Sequence, residues 1–277
     1  MKLISYRYHG QEQVGCLLED RIAPLPYAGM NALIDSGTLP VPGEATISLA
    51  EVELLAPIPR PRQDVICLGI NYLSHAQETG NYDAESFAKE KAIPIYFSKR
   101  VNQAVAPEGS IDSHPGLVQH LDYEAELAVI IGKTAQNVAP EDVPDYIFGY
   151  TILNDVSARV LQTSHKQWYF GKSLDGFTPM GPVIVTADEI AFPPALSIRS
   201  YVNGELRQNS TTDLLITGIA DIVAELSSGI TLLPGTIIST GTPSGVGMGF
   251  QPPKFLHPGD MVACEIEGIG TLRNTVR

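Results

Sequence analysis

The sequence predicts a mostly β fold with a few helices, of the α+β class, in two parts: a small N-terminal domain over residues 1–60 and a larger one over 61–277. Three observations carry this. Apolar, β-branched runs of strand length recur along most of the chain, helical periodicity is confined to a few stretches, and alternate prolines interrupt the chain near residue 60. With 44% hydrophobic and 18% charged residues, the 277-residue chain has ample material for a buried core and lacks the signature of disorder.

From residue 1 to about 55 the pattern is short strands and turns. Ala56-Pro57-Ile58-Pro59-Arg60-Pro61-Arg62 then disfavours helix and regular strand alike, which places the boundary. Beyond it, strands are expected at 65–70, 127–131, 148–153, 183–186, 198–202, 236–240 and 261–266. The clearest helical period runs over 213–228, where Leu215, Ile219, Ile222, Val223 and Leu226 share one face. Two shorter helices are expected, from 73 to about 91 and from 155 to about 165. The stretch 226–253 carries no charge, but its six glycines and four prolines make it a strand feeding a loop rather than a bilayer helix.

Lys and Arg total 18 against 31 Asp and Glu, a formal charge of −13, so neither nucleic acid nor an anionic membrane is an expected partner. Cys16, Cys67 and Cys264 are odd in number, widely spaced and outside any paired metal-binding pattern, and read as small buried hydrophobes of a reducing compartment. The N-terminus lacks the apolar core of a signal peptide, so a cytoplasmic location is expected.

Chemistry concentrates in the larger part. In Leu121-Asp122-Tyr123-Glu124-Ala125-Glu126, read as a strand, Asp122, Glu124 and Glu126 fall on one face. Carboxylates so placed either face solvent or share a hard divalent cation. Asp155 ends an apolar strand where a helix is expected to begin, which suits either an N-cap or a metal ligand. From there Arg159 and Gln162 are spaced four and three along one helical face. His75 and Glu78 are three apart on a candidate helix, close enough for the carboxylate to polarise the imidazole as a base, although solvated faces also carry such pairs. Lys172, bracketed by glycine and apolar residues, needs an anion: a substrate carboxylate or enolate, or Asp175 nearby. Thr240-Gly241-Thr242-Pro243-Ser244-Gly245-Val246-Gly247 offers free amides that suit a small anion, but lacks the Gly-Lys-Ser/Thr ending of a phosphate-binding P-loop.

Taken together, these segments resemble the fumarylacetoacetate hydrolase superfamily, in its shorter acylpyruvate hydrolase type. The resemblance covers roughly residue 64 to the C-terminus. It rests on Gly-Ile-Asn-Tyr with His75 and Glu78, Asp-Tyr-Glu-Ala-Glu at 122–126, Asn-Asp-Val-Ser-Ala-Arg at 154–159, Gly-Lys-Ser-Leu-Asp at 171–175 and the glycine-rich run at 240–247. It implies a mixed β-sandwich roll, a homodimer, and Mg²⁺ or Mn²⁺ held by Glu124, Glu126 and Asp155 with Asp122 behind them. His75 and Glu78 would activate water from a lid, while Lys172, Arg159, Gln162 and Thr242 hold a small 2-oxo acid. Ser98-Lys99-Arg100 departs from the family's frequent Lys-Pro, so Lys99 is left out of the site.

The expected activity is a divalent-metal-dependent hydrolase that cleaves a carbon–carbon bond in a 2,4-dioxo acid, of acylpyruvate or diketo-deoxy sugar acid type. The cation would act as Lewis acid and Lys172 would stabilise the enolate. The same site would serve an oxaloacetate decarboxylase or a 2-hydroxyhepta-2,4-diene-1,7-dioate-type isomerase, and a non-catalytic ligand-binding homologue is the alternative of another class.

Overall fold

The computed structural model describes residues 1–80 and 93–277. All seven strands expected after the proline-rich segment form, as Val65–Gly69, Ala125–Ile131, Ile147–Asn154, Met180–Thr186, Ser197–Val202, Ile237–Ser239 and Met261–Ile266. They fall into two sheets that do not close. The larger runs, from one edge to the other, through Ile47–Ser48, Arg21–Leu25, Gln11–Leu18, Lys2–Tyr8, Met180–Thr186, Ile147–Asn154, Ala125–Ile131, Ile237–Ser239, Val65–Gly69 and Ile95–Lys99. The smaller orders Glu205–Thr211, Ser197–Val202, Met261–Ile266, Gly270–Val276 and Ser110–Ile111.

The strands before residue 60 are continuous with the rest, because Lys2 and Leu3 pair with Val185 and Ile184 across the sheet. Most neighbours are antiparallel, and Ile237–Ser239 runs parallel to Val65–Gly69, which makes the sheet mixed.

Ala125–Ile131 explains how the site acquires a buried acid. Every residue of this central strand is buried. Ala125, Leu127, Val129 and Ile131 enter one apolar cluster while Ala128 and Ile130 enter another on the opposite face. Period two therefore puts Glu126 on the face of Ala128 and Ile130, with no solvated side to escape to.

Several elements differ from expectation. Asp122 and Glu124 are not on one strand with Glu126: Leu121–Asp122 pairs separately with Ser157–Ala158, and the chain turns through Tyr123 and Glu124 before Ala125. Asp155 is not an N-cap, since the following helix is Arg159–Ser164 with Ala158 at its N-cap. Asp155 and Arg159 thus do not share a helical face, although Arg159 and Gln162 do. The helix expected over 213–228 spans Ile219–Gly229, preceded by Gly218, and Leu215 bridges to Tyr72 instead. The helix expected from 73 to about 91 is seen as Leu73–Glu78, and the remainder of that expectation falls on residues 81–92, outside the described residues. Among the described residues no helix is long and apolar enough to cross a membrane.

Candidate active site

A cavity of about 260 Å³ opens at the strand ends around Leu68, Gly69 and Ile70, and its walls include His75, Glu124, Glu126, Arg159, Gln162, Lys172 and Thr242. A larger cavity, about 320 Å³, lies against the N-terminal strands and the helix Met30–Asp35 and touches none of these residues. The larger one is lined by Glu12, Arg60 and Arg62, whereas the carboxylates, His75 and Lys172 gather at the smaller one.

Glu124 and Glu126 of the smaller cavity's lining group with Asp155 behind them, each buried and each offering an oxygen within 4.8 Å of the others. An alternating chain of charges runs through two of them. Lys99 Nζ donates to Asp155 Oδ1 at 2.6 Å, and Lys172 Nζ joins Asp155 Oδ2 at 2.6 Å to Glu124 Oε2 at 2.8 Å. Arg159 then donates through Nη1 to Glu124 Oε1 at 2.6 Å and through Nε to Asp122 Oδ2 at 2.8 Å. Glu126 stands outside this chain: its Oε2 accepts from Ser239 Oγ at 2.5 Å and Gly241 N at 2.9 Å.

The two acids consequently titrate in opposite directions. Burial alone would raise the Glu124 carboxyl, but the Lys172 ammonium and Arg159 guanidinium override it and hold it well below the usual range. Burial pushes Glu126 up to about 8, helped by repulsion from Asp155 and Glu124. For Lys172, burial works toward deprotonation, and Asp155 and Glu124 more than offset it, so the ammonium is retained.

Small residues assemble the walls. At Gly171 a Cβ would come within 2.4 Å of the Gln162 backbone nitrogen, so its absence lets the helices Arg159–Ser164 and Tyr169–Lys172 touch and brings Lys172 beside Arg159. At Gly69 a Cβ would meet the Trp168 ring at 2.2 Å, and the same ring stacks edge-on to Phe97.

Leu73–Glu78 is reached through Ile70, a β-branched residue held at φ 54, a strained conformation at the cavity edge. Asn71 ties this turn down, donating to the carbonyls of Thr217 and Thr240 and accepting from Thr217 N. His75 Nδ1 lies 3.1 Å from Glu78 Oε2, and Glu78 Oε1 accepts from Gly245 N at 2.8 Å. The expected pair is therefore made, with the imidazole against the cavity.

All nine residues singled out from the sequence come to this one place. Glu78 is reached through His75, and Thr242 differs in kind: its hydroxyl donates to the Ala125 carbonyl and accepts from Gln208 Nε2, both within the framework. Lys172 pairs with Glu124 and Asp155, whereas Asp175 accepts from Asn102. The amides expected to take an outside anion already serve the protein's own carboxylates at Glu126, Glu78 and Asp122.

Lys99, set aside on sequence grounds, is fully buried on Asp155 and belongs to the cluster. A signal for it existed: Ile95, Phe97 and Lys99 share one face of Ile95–Lys99, and Phe97 lines the cavity. The donor set fits a hard divalent cation, three carboxylates with oxygens close enough to share one ion.

Residues 64–277 match the family model "Fumarylacetoacetate (FAA) hydrolase C-terminal". The chain is 47% identical over 234 residues to oxaloacetate tautomerase YisK of Bacillus subtilis, covering 84% of this chain and 76% of that protein. Among solved structures, a fumarylacetoacetate hydrolase from the psychrophile Exiguobacterium antarcticum is 38% identical with a TM-score of 0.87, over 100% of this chain and 99% of that one. A 2-hydroxyhepta-2,4-diene-1,7-dioate isomerase from Mycobacterium marinum is 34% identical with a TM-score of 0.79, over 100% and 98%. Hydrolase, isomerase and tautomerase thus share one scaffold with this protein: the chain belongs to the fumarylacetoacetate hydrolase family.

Proposed function

We propose that this protein is a divalent-metal-dependent enzyme that forms the enolate of a small 2-oxo acid, and that its reaction is the keto–enol tautomerisation of oxaloacetate. The single observation that carries the proposal is the buried Glu124, Glu126 and Asp155 cluster beside the Lys172 ammonium, at a small cavity that His75 also lines. The choice of oxaloacetate is supported by the 47% identity to a protein named as its tautomerase.

Glu124, Glu126 and Asp155 would hold Mg²⁺ or Mn²⁺, which supplies Lewis acidity toward the 2-oxo oxygen. The chain's own groups do the rest. Arg159 Nη2 is buried with no hydrogen-bond partner among the described residues, a donor left over for a substrate carboxylate. Gln162 Oε1 accepts from Arg159 Nη1 at 3.2 Å and, with Asp122 and Glu124, holds that guanidinium in place. His75, its Nδ1 engaged by Glu78, removes a proton from C3 through the other ring nitrogen. As the C3–H bond breaks, charge passes to the C2 oxygen, where Lys172 meets it. Return of that proton to the oxygen completes the enol, and one proton has moved with no atom lost.

A second reaction is favoured by the His75 and Glu78 pair. A His-Glu dyad can also activate water, and water attacking the distal carbonyl of a 2,4-dioxo acid would give carbon–carbon hydrolysis through the same enolate. Product analysis by NMR with Mg²⁺ separates the two. Oxaloacetate should interconvert between keto and enol faster than in buffer, and Glu124→Ala or Glu126→Ala should remove the Mg²⁺-dependent rate. Release of pyruvate and acetate from acetylpyruvate at a higher kcat/KM would replace tautomerisation by hydrolysis, and full activity of either alanine variant would remove the metal centre from the proposal.

A further inference from the structure

The loop from Ser239 to Gly249 holds three acids at once. Gly241 N donates to Glu126, Gly245 N to Glu78 at 2.8 Å, and Gly247 N and Met248 N to Asp122 at 2.7 and 3.0 Å. Its glycines are required for different reasons. At Gly245 a Cβ would lie 2.0 Å from the Arg207 carbonyl oxygen, with φ at +101, and at Gly247 it would lie 2.5 Å from the Lys254 carbonyl oxygen. Both are backbone obstructions. At Gly249, which is outside the left-handed region, the three nearest atoms all belong to one flexible side chain: Glu78 Cδ and Oε1 at 2.0 Å and Cγ at 2.3 Å.

We propose that Gly249 is a positioning residue: the space left by its missing side chain seats the Glu78 carboxylate, and through Glu78 it sets the orientation of His75. The inference rests on the role given above to the His75 and Glu78 pair. A side chain at 249 displaces the end of a mobile-jointed carboxylate and not the main chain, so the fold tolerates it while the dyad does not. Without Glu78 on Nδ1, the imidazole loses the contact that selects its tautomer and ring plane.

The experiment is a double-mutant cycle with Gly249→Ala, Glu78→Ala and the double variant, assayed on oxaloacetate with saturating Mg²⁺. Glu78→Ala should lower kcat by about 100-fold, within the range of general acid–base catalysis, and Gly249→Ala by about 10-fold or more with KM little changed. The double variant should be no worse than Glu78→Ala alone, because no carboxylate is left to displace. Independently of turnover, the His75 ring resonances of Gly249→Ala in ¹H–¹⁵N spectra should move toward those of Glu78→Ala.

If Glu78→Ala keeps full kcat, the dyad's role and this inference both fall. If Glu78→Ala is impaired but Gly249→Ala is not, or if the two losses multiply in the double variant, only the inference falls. Should Gly249→Ala fail to fold, folding of the double variant would trace the defect to Glu78 and support the seat, and failure of both would overturn it.

Discussion

Glu126 is where burial and function meet at the scale of a residue. With its carboxyl protonated, three acids (Asp122, Glu124 and Asp155) face three cations (Lys99, Arg159 and Lys172), and the metal-free cluster is balanced. Because the folded state keeps this proton up to about pH 8 and the unfolded chain releases it near the ordinary value of 4.5, metal-free stability falls as pH rises between those limits. On the proposed function a divalent ion would take the proton's place, so Mg²⁺ affinity should rise with pH toward 8 with about one proton released per ion. Calorimetry in buffers of differing ionisation enthalpy reads that number directly. Lys99 is fully buried on Asp155, and breaking such a pair leaves an uncompensated charge. Lys99→Met should therefore lower metal-free stability by about 3 kcal/mol in urea titrations, and added Mg²⁺ should narrow the difference.

Close approach between elements sets the site's geometry at the next scale. The contact between Arg159–Ser164 and Tyr169–Lys172 depends on Gly171, whose Cβ would fall 2.4 and 2.6 Å from the Gln162 backbone N and Cα. Gly171→Ala should cost about 1–3 kcal/mol of stability by overpacking and also draw Lys172 away from Glu124 and Asp155. Thermal unfolding measures the first effect. For the second, kcat measured well below the melting temperature should fall even though every protein molecule is folded. The strand Ala125–Ile131 acts at the same level: buried on both faces, it cannot rotate Glu126 out to water, so the acid stays in the cavity at any pH at which the sheet survives.

Across the whole molecule, the chain has one tryptophan, Trp168, and it lines the cavity. Intrinsic tryptophan fluorescence therefore reports the site against a background free of other indoles. Titration with oxalate, which mimics an enolate, should change that emission when Mg²⁺ is present and leave it unchanged with chelator. The chain carries a net charge of −13, while at the cavity acids and bases are matched almost one for one. Overall charge thus describes what the protein avoids, and local pairing describes what the cavity can hold.

The sequence by itself determined the strand-rich fold and the seven strands after the proline-rich segment, and its motifs singled out Glu124, Glu126, Asp155, His75, Glu78 and Lys172 as residues that the fold brings together, because strand period and motif are both local patterns. Tertiary structure decided the rest. Asp122 could be read as one of a row of carboxylates, yet its partners Gly247 and Met248 lie 125 and 126 residues away, and their amides turn it into the support of Arg159. Lys99 meets Asp155 across 56 residues, and Gly249 meets Glu78 across a loop. Such pairings depend on which strands become neighbours, a choice made by burial of the whole sheet, and no short window of residues contains that information.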